Sequence, residues 1–494
     1  VTIPAEQRDV ARFLAGLAGR EATETHISAV FIGDDTVWKL KKAVHLPFVD
    51  FSSVDARHRF LLRELELNKP NAPDIYRDVV SVGRLPDGFL ALGQGEPVDW
   101  VLRMTKVPGA DFLDAVADRG ALTPVLLDSL GDCVADAHSR LEPVSGWDSA
   151  RRMTVIAEGN ARTALVAGLP KDDVQRWLQA CLAMIGALRP WLSRRAASGF
   201  VRRCHGDLHL GNLCLWNGAP VAFDSLEFDE ALATIDTAYD LAFLLMDLDQ
   251  RVSRQAANRV MNRYAAMTGD ACLVTGLPLF LSQRAMIRAH VTAAMGWKEE
   301  GARLLQAALS YLDPQPAAVL AIGGLQGTGK STLARALAPE MGRAPGALVV
   351  RSDETRKRLF GRRPEERLPQ DAYTESANAA VNRQVIASVR EAAAGGQSVI
   401  ADSTFLDPAM RAEMGLGLDL VGIWLEVPLP VLEARVAQRQ GDASDATVAV
   451  LRRSAERQDA PDDWHKVDAT DHDRALAAIK VLIGQGVTPT EPSR

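Results

Sequence analysis

The chain changes its hydrophobic rhythm twice. After an opening helical stretch, the early part alternates apolar and polar positions with a period of two. Phe31-Ile-Gly-Asp-Asp-Thr-Val-Trp-Lys-Leu40 reads as a hairpin that turns at Gly33-Asp-Asp35. A helix follows over about 54–68 with Ser53 as its cap, then strands at about 75–82, 88–93 and 99–106. From residue 111 the spacing is helical, except for loop and short strands over about 202–228. Strands first and helices afterwards predict an α+β, two-lobed module.

Tyr311-Leu-Asp-Pro-Gln-Pro316 stops the helical pattern, and the apolar run Ala318-Val-Leu-Ala-Ile-Gly-Gly324 starts at once. The seam falls near Asp313, giving modules 1–312 and 314–494. Beyond it, strands near 318–323, 347–352, 397–402, 421–427 and 465–468 alternate with helices near 330–341, 374–394, 429–440 and 445–458. That alternation predicts an α/β module with a parallel sheet. The tail Thr488-Pro-Thr-Glu-Pro-Ser-Arg494 reads as disordered.

Composition narrows the class. The 494 residues are 47% hydrophobic and 24% charged, which excludes wholesale disorder. A net charge of −7 argues against a nucleic-acid coat but allows a local basic groove. Five cysteines without a CxxC fit reduced thiols, and the N-terminal stretch lacks the basic and apolar regions of a signal peptide. The most apolar run, Ala238-Tyr-Asp-Leu-Ala-Phe-Leu-Leu-Met-Asp-Leu248, contains two carboxylates and is too short to span a bilayer. A cytoplasmic protein that does not meet a membrane is the expectation.

Candidate chemistry is densest at two places. Gly324-Leu-Gln-Gly327-Thr-Gly329-Lys330-Ser331 fits GxxxxGK[ST], with a strand before it and a helix after it. Its glycines let backbone N–H groups wrap a phosphate at a helix N-terminus. Lys330 would reach the β- and γ-phosphates, Ser331 would ligate Mg²⁺, and Thr332 follows in the first turn. Asp353, at the end of the next strand, stands where it can cap a helix or accept a hydroxyl proton. Asp402 ends the third strand, where a carboxylate can hold Mg²⁺. Arg435 and Arg439, four apart, form either a solvated face or a lid over phosphates.

The other is Cys204-His205-Gly-Asp207-Leu-His209-Leu-Gly-Asn212, with Asp224 about a dozen residues on. This follows the catalytic-loop logic of protein-kinase-like folds: Asp207 as base, Asn212 and Asp224 on Mg²⁺. A zinc site of Cys204, His205, His209 and Cys214 is a competing reading. A strand lysine paired with a helix glutamate should accompany the loop. Lys39 and Glu64 fit, although Lys41 shares the face of Lys39 and a slip of one pair would substitute it. No Gly-rich loop precedes them; His26-Ile-Ser28 takes its place, with Ser28 as a phosphate contact.

On these motifs the first module, over about 20–260, resembles the aminoglycoside phosphotransferases and related small-molecule kinases. Residues 317–470 resemble small P-loop kinases such as polynucleotide kinase, zeta toxins and chloramphenicol phosphotransferase. The fusion resembles bacterial bifunctional aminoglycoside phosphotransferase/ATP-binding proteins. The resemblance implies ATP and Mg²⁺ in each module, transfer to hydroxyls of small molecules (metabolite, sugar or antibiotic), and Arg356 as a substrate contact. An acidic pocket for a polycation would draw on Glu227, Asp229, Glu230 and Asp236, with Asp236 and Asp240 alternatively capping or bracing helices. Two rivals stand beside this reading. The basic cluster Arg351, Arg356, Lys357, Arg358, Arg362 and Arg363 could track a nucleic-acid 5′ end. Alternatively, one module senses nucleotide without catalysis.

Overall fold

A computed structural model describes residues 2–46, 49–438, 443–456 and 460–486. The expected disordered tail 488–494 lies outside them, as does Arg439. The chain divides into two compact units, Val1–Ser149 with Pro190–Asp247, and Ala150–Arg189 with Leu248–Arg494. Neither unit ends at Asp313.

The first unit is built on a six-stranded antiparallel sheet. In spatial order its strands are Thr23–Glu24, Ser28–Ile32, Thr36–Lys41, Glu96–Thr105, Tyr76–Arg84 and Leu90–Leu92. Helix Arg8–Ala18 buries Val10 and Leu14 against one side, with Phe31, Leu40 and Val101. Helix Val54–Asn68 is capped by Ser53, whose Oγ accepts from Ala56 N at 3.1 Å. It buries Leu61 with Tyr76 and Leu102. After the sheet and before the long helix Thr237–Arg251 in sequence, Leu213–Trp216 pairs antiparallel with Ala219–Ala222. Val201–Arg203 pairs with Thr234–Asp236, a strand the sequence pattern does not reveal because three residues show no period.

The second unit contains a five-stranded parallel sheet. Its spatial order is Leu348–Arg351, Val399–Asp402, Val319–Gly323, Leu420–Glu426, His465–Asp468. Both faces are covered, so the central strands are wholly buried. Helices Ser352–Leu359, Pro408–Gly415 and His472–Gly486 add to those anticipated. The first is almost entirely polar and shows no apolar stripe, yet it buries Thr355 and Lys357.

Helix Arg254–Thr268 belongs to this unit and covers the free edge of strand Leu348–Arg351. Asn262 Oδ1 accepts from Val349 N at 2.6 Å, while Asn258 and Asn262 Nδ2 both donate to Ala347 O. Side-chain amides thereby satisfy an edge that would otherwise be open. Among the described residues no helix is long and apolar enough to cross a membrane.

Candidate functional site

In the first unit, three elements meet at Lys39. Strand Thr36–Lys41 presents Lys39, and Nζ lies 2.7 Å from Glu64 Oε1 and 2.6 Å from Asp224 Oδ1. The neighbouring Lys41 holds the other oxygen of Glu64 at 2.8 Å and also pairs with Glu227. The two candidate lysines are therefore both engaged, and a choice of register between them is unnecessary. Lys41 is fully enclosed, whereas Lys39 keeps partial exposure. Burial on its own would lower both lysine pKa values, but the surrounding carboxylates outweigh it and raise them. Burial likewise would raise Glu64, but Lys39 and Lys41 hold it at about 2.

Asp224 sits at φ +61°, a left-handed conformation uncommon outside glycine. Its backbone N–H donates to Tyr76 Oη at 3.0 Å. Asn212 Nδ2 donates to both the backbone oxygen (2.9 Å) and Oδ2 (3.0 Å) of Asp207. The amide hydrogens are thus directed at Asp207, which leaves the Asn212 carbonyl oxygen as the atom for a cation. His209 Nε2 lies 3.5 Å from Asp207 Oδ2. His205 Nε2 bonds Phe223 O at 2.9 Å, and burial lowers the pKa of its ring.

The loop is anchored from helix Thr237–Arg251. Asp240 accepts from the N–H groups of His205 (3.1 Å) and Gly206 (2.8 Å), and Asp247 from that of Leu210 (3.0 Å). The sequence signal for this pair is two carboxylates seven apart in an otherwise apolar run, on one helical face. The four-residue zinc set does not assemble. The cluster with metal-ligand proximity among the described residues is His138, Cys204 and Asp240, and its Asp240 already serves the loop. Ser28 is buried, and its hydroxyl meets no partner among the described residues, so it is not presented to a ligand in this conformation.

The acidic residues expected to line a polycation pocket have internal partners. Glu227 binds Lys41, Asp229 caps helix Glu230–Ala233, and Glu230 takes Arg63 and Arg203. Asp236 is held bidentately by Arg195 at 2.7 and 2.8 Å.

In the second unit, Gly324, Gly327 and Gly329 adopt φ of +131°, +88° and +93°. A Cβ at Gly324 would stand 2.7 Å from Leu425 O, so a side chain cannot be accommodated without moving backbone. Lys330 Nζ folds onto the oxygens of Gly324 (2.9 Å) and Leu325 (2.8 Å). Ser331 Oγ donates to Asp402 Oδ2 at 2.6 Å, and Arg351 Nε reaches the same oxygen at 3.2 Å. Thr332 is exposed in the first helical turn. Burial raises the pKa of Asp353, and Asp402 adds to the rise, while Arg351, Ser444 and Lys330 oppose it. Arg435 donates to the oxygens of Gly327 (3.3 Å) and Thr470 (2.9 Å), bridging the glycine-rich loop to the end of the last strand. A cavity of 410 Å³ opens there, walled by Leu325, Thr328, Leu432, Asp468 and Thr470 among others.

The basic cluster turns largely inward. Arg351 binds Asp402 and Glu354, Lys357 binds Asp445, and Arg358 donates to Ala266 O. Arg356 donates to Ala372 O at 2.6 Å and lies over the Tyr373 ring.

Comparison with known proteins finds two family matches in the chain. Residues 61–273 match the phosphotransferase enzyme family and residues 319–461 an AAA domain. An uncharacterized protein of Mycobacterium tuberculosis is 28% identical over 470 residues, covering 91% of this chain and 92% of its own length. One from Mycobacterium bovis matches to the same extent. Similar solved structures include a choline kinase from Cryptosporidium parvum (9% identity, 58% of this chain, 87% of that chain, TM-score 0.39). Another is the GDP complex of aminoglycoside 2′-phosphotransferase-IIIa (15% identity, 62% and 98%, TM-score 0.35). A gluconokinase from Sinorhizobium meliloti matches with 21% identity, 35% and 97% coverage and TM-score 0.24. The chain is thus a fusion, in one polypeptide, of a phosphotransferase-family module and a P-loop kinase-like module.

Proposed function

We propose that the chain is a double ATP-dependent kinase, in which each module moves the γ-phosphate of ATP to a hydroxyl of a small molecule. The observation that carries this reading is the convergence of Lys39, Glu64 and Asp224 from three separate elements. In this reading Lys39 turns from Asp224 to the phosphates while Glu64 keeps it oriented. Asp207 accepts the acceptor's hydroxyl proton, with its carboxylate oriented by Asn212.

The donor set suits Mg²⁺, since Asn212 and Asp224 in one module, and Ser331 and Asp402 in the other, offer hard oxygen atoms. When bound, Mg²⁺ supplies neutralisation of triphosphate charge. The chain's own part is positioning. Backbone N–H groups of 324–331 cradle phosphates, Lys330 swings from its carbonyl partners to them, and Asp353 serves as the second base. The cavity beside Leu325 and Asp468 has room for the nucleotide base. Arg435, already on the Gly327 oxygen, is placed to meet charge developing on the transferred phosphoryl group.

The inward partners of Glu227, Asp229, Glu230 and Asp236 weigh against a polycationic acceptor for the first module. Those of Arg351, Lys357 and Arg358 weigh against a nucleic-acid track in the second.

A mass-gain screen of small hydroxyl compounds with ATP tests the reading. Asp207→Asn and Asp353→Asn should each abolish one acceptor activity and leave nucleotide binding intact. Loss of both activities from either single change would mean one shared site and would overturn the two-site reading.

A further inference from the structure

The turn that bears Asp224 is gripped at three successive points by the six-stranded sheet and its helix. Tyr76 Oη accepts from Asp224 N at 3.0 Å, and Asn68 Oδ1 accepts from Ser225 N at 2.9 Å. Three residues after Asp224, Glu227 meets Lys41. Lys41 is 0% exposed and Glu227 6%. Lys41 therefore cannot reach a nucleotide, and Glu227 cannot offer an open carboxylate to an acceptor.

A buried ion pair has little net advantage in stability over an apolar pair of the same volume. What it supplies is a geometry that tolerates no slippage, because either charge without the other is strongly unfavourable in that environment. Here the geometry matters. Asp224 is held in a left-handed backbone conformation, and Lys39 is drawn to it at 2.6 Å. Lys41 also occupies the second oxygen of Glu64, so Glu64 stays fixed whichever way Lys39 turns.

We propose that Lys41 and Glu227 are positioning residues. Their ion pair pins the 224–227 turn to strand Thr36–Lys41 so that Asp224 keeps the orientation needed to hold a divalent cation. The two lysines divide the work: Lys39 faces the open side and is exchangeable, whereas Lys41 is a permanent structural cation. This rests on the reading above that Asp224 holds the metal.

The test uses the full chain in a Lys330→Ala background, which removes the second nucleotide site. Mn²⁺ affinity is measured by electron paramagnetic resonance with a non-hydrolysable ATP analogue, alongside amide exchange over 224–227. Glu227→Gln should weaken Mn²⁺ binding by about tenfold or more, as loss of an outer-shell partner does. The same change should speed exchange at Ser225 and Leu226, and Glu227→Asp should restore part of both. The apolar double variant Lys41→Met/Glu227→Leu separates roles. Recovered thermal stability with Mn²⁺ binding still weak supports positioning. Recovery of both overturns it, because the pair would then be only packing. Asp224→Asn guards the premise. If it leaves Mn²⁺ binding unchanged, the metal assignment fails; if it abolishes binding while Glu227→Gln does not, only the positioning role fails.

Discussion

Replacing Glu64 by glutamine removes one charge from the place where two lysines converge. Glu64 is fully buried, with Lys39 and Lys41 at 2.7 and 2.8 Å on separate oxygens. Burial drives a carboxyl pKa upward, but the two ammonium groups outweigh it and bring Glu64 from 4.5 to about 2. At ~1.4 kcal/mol per decade, that fall corresponds to roughly 3 kcal/mol of stabilisation at neutral pH. The folded pKa lies below the unfolded one. The stabilisation is therefore complete above 4.5 and is lost as pH falls towards about 2. Near pH 3, roughly 1 kcal/mol should remain. Glutamine keeps the shape and an acceptor oxygen but cannot neutralise either lysine. The gap between wild type and Glu64→Gln should accordingly be roughly 3 kcal/mol at pH 7 and shrink to roughly 1 kcal/mol near pH 3. Because the chain has two compact units, a single global transition is a poor measure. Protection of amides in helix Val54–Asn68 against hydrogen exchange reads the effect locally. A gap below about 0.5 kcal/mol at pH 7, or one that does not change with pH, would refute the electrostatic account.

Two further predictions concern the second unit. Asn262→Leu should leave Val349 N without a partner, cost about 1–3 kcal/mol, and speed exchange of the Val349 amide; no loss of stability would mean that the helix covers the strand edge by packing alone. For Asp353, the carboxyl must be ionised to act as base, and its pKa is raised above 3.8, so the acid limb of kcat/KM for the P-loop activity should have its midpoint above 3.8. A midpoint at or below that value would remove Asp353 from the role of base.

Local chemistry was legible along the chain wherever geometry is set by neighbours in sequence. The glycine-rich loop 324–331 is one such place, because Gly324, Gly327 and Gly329 take positive φ that side chains rarely adopt. The Ser53 cap is another, since a cap and its helix are adjacent. The alternation of the second module likewise carried its parallel sheet, because a central strand covered on both faces must be apolar throughout. That Glu64 needs a lysine of the strand Thr36–Lys41 could be expected in advance because a carboxylate on a buried stripe demands a cation.

What lay beyond the sequence depended on residues far apart along the chain. Whether Lys39 or Lys41 meets Glu64 could not be read from a period of two, since both point to one face; only the position of the helix lets both reach it. The acidic residues 227–236 look available to a substrate until Lys41, Arg63, Arg195 and Arg203 arrive from elsewhere. Helix Arg254–Thr268 precedes the proline seam, yet Asn258 and Asn262 close the edge of the parallel sheet. Periodicity records which face of an element is buried, not which element buries it. Local motifs and the family resemblance they carry therefore marked out two kinase-like modules, whereas tertiary packing decided how charges are partnered and which helices complete each sheet.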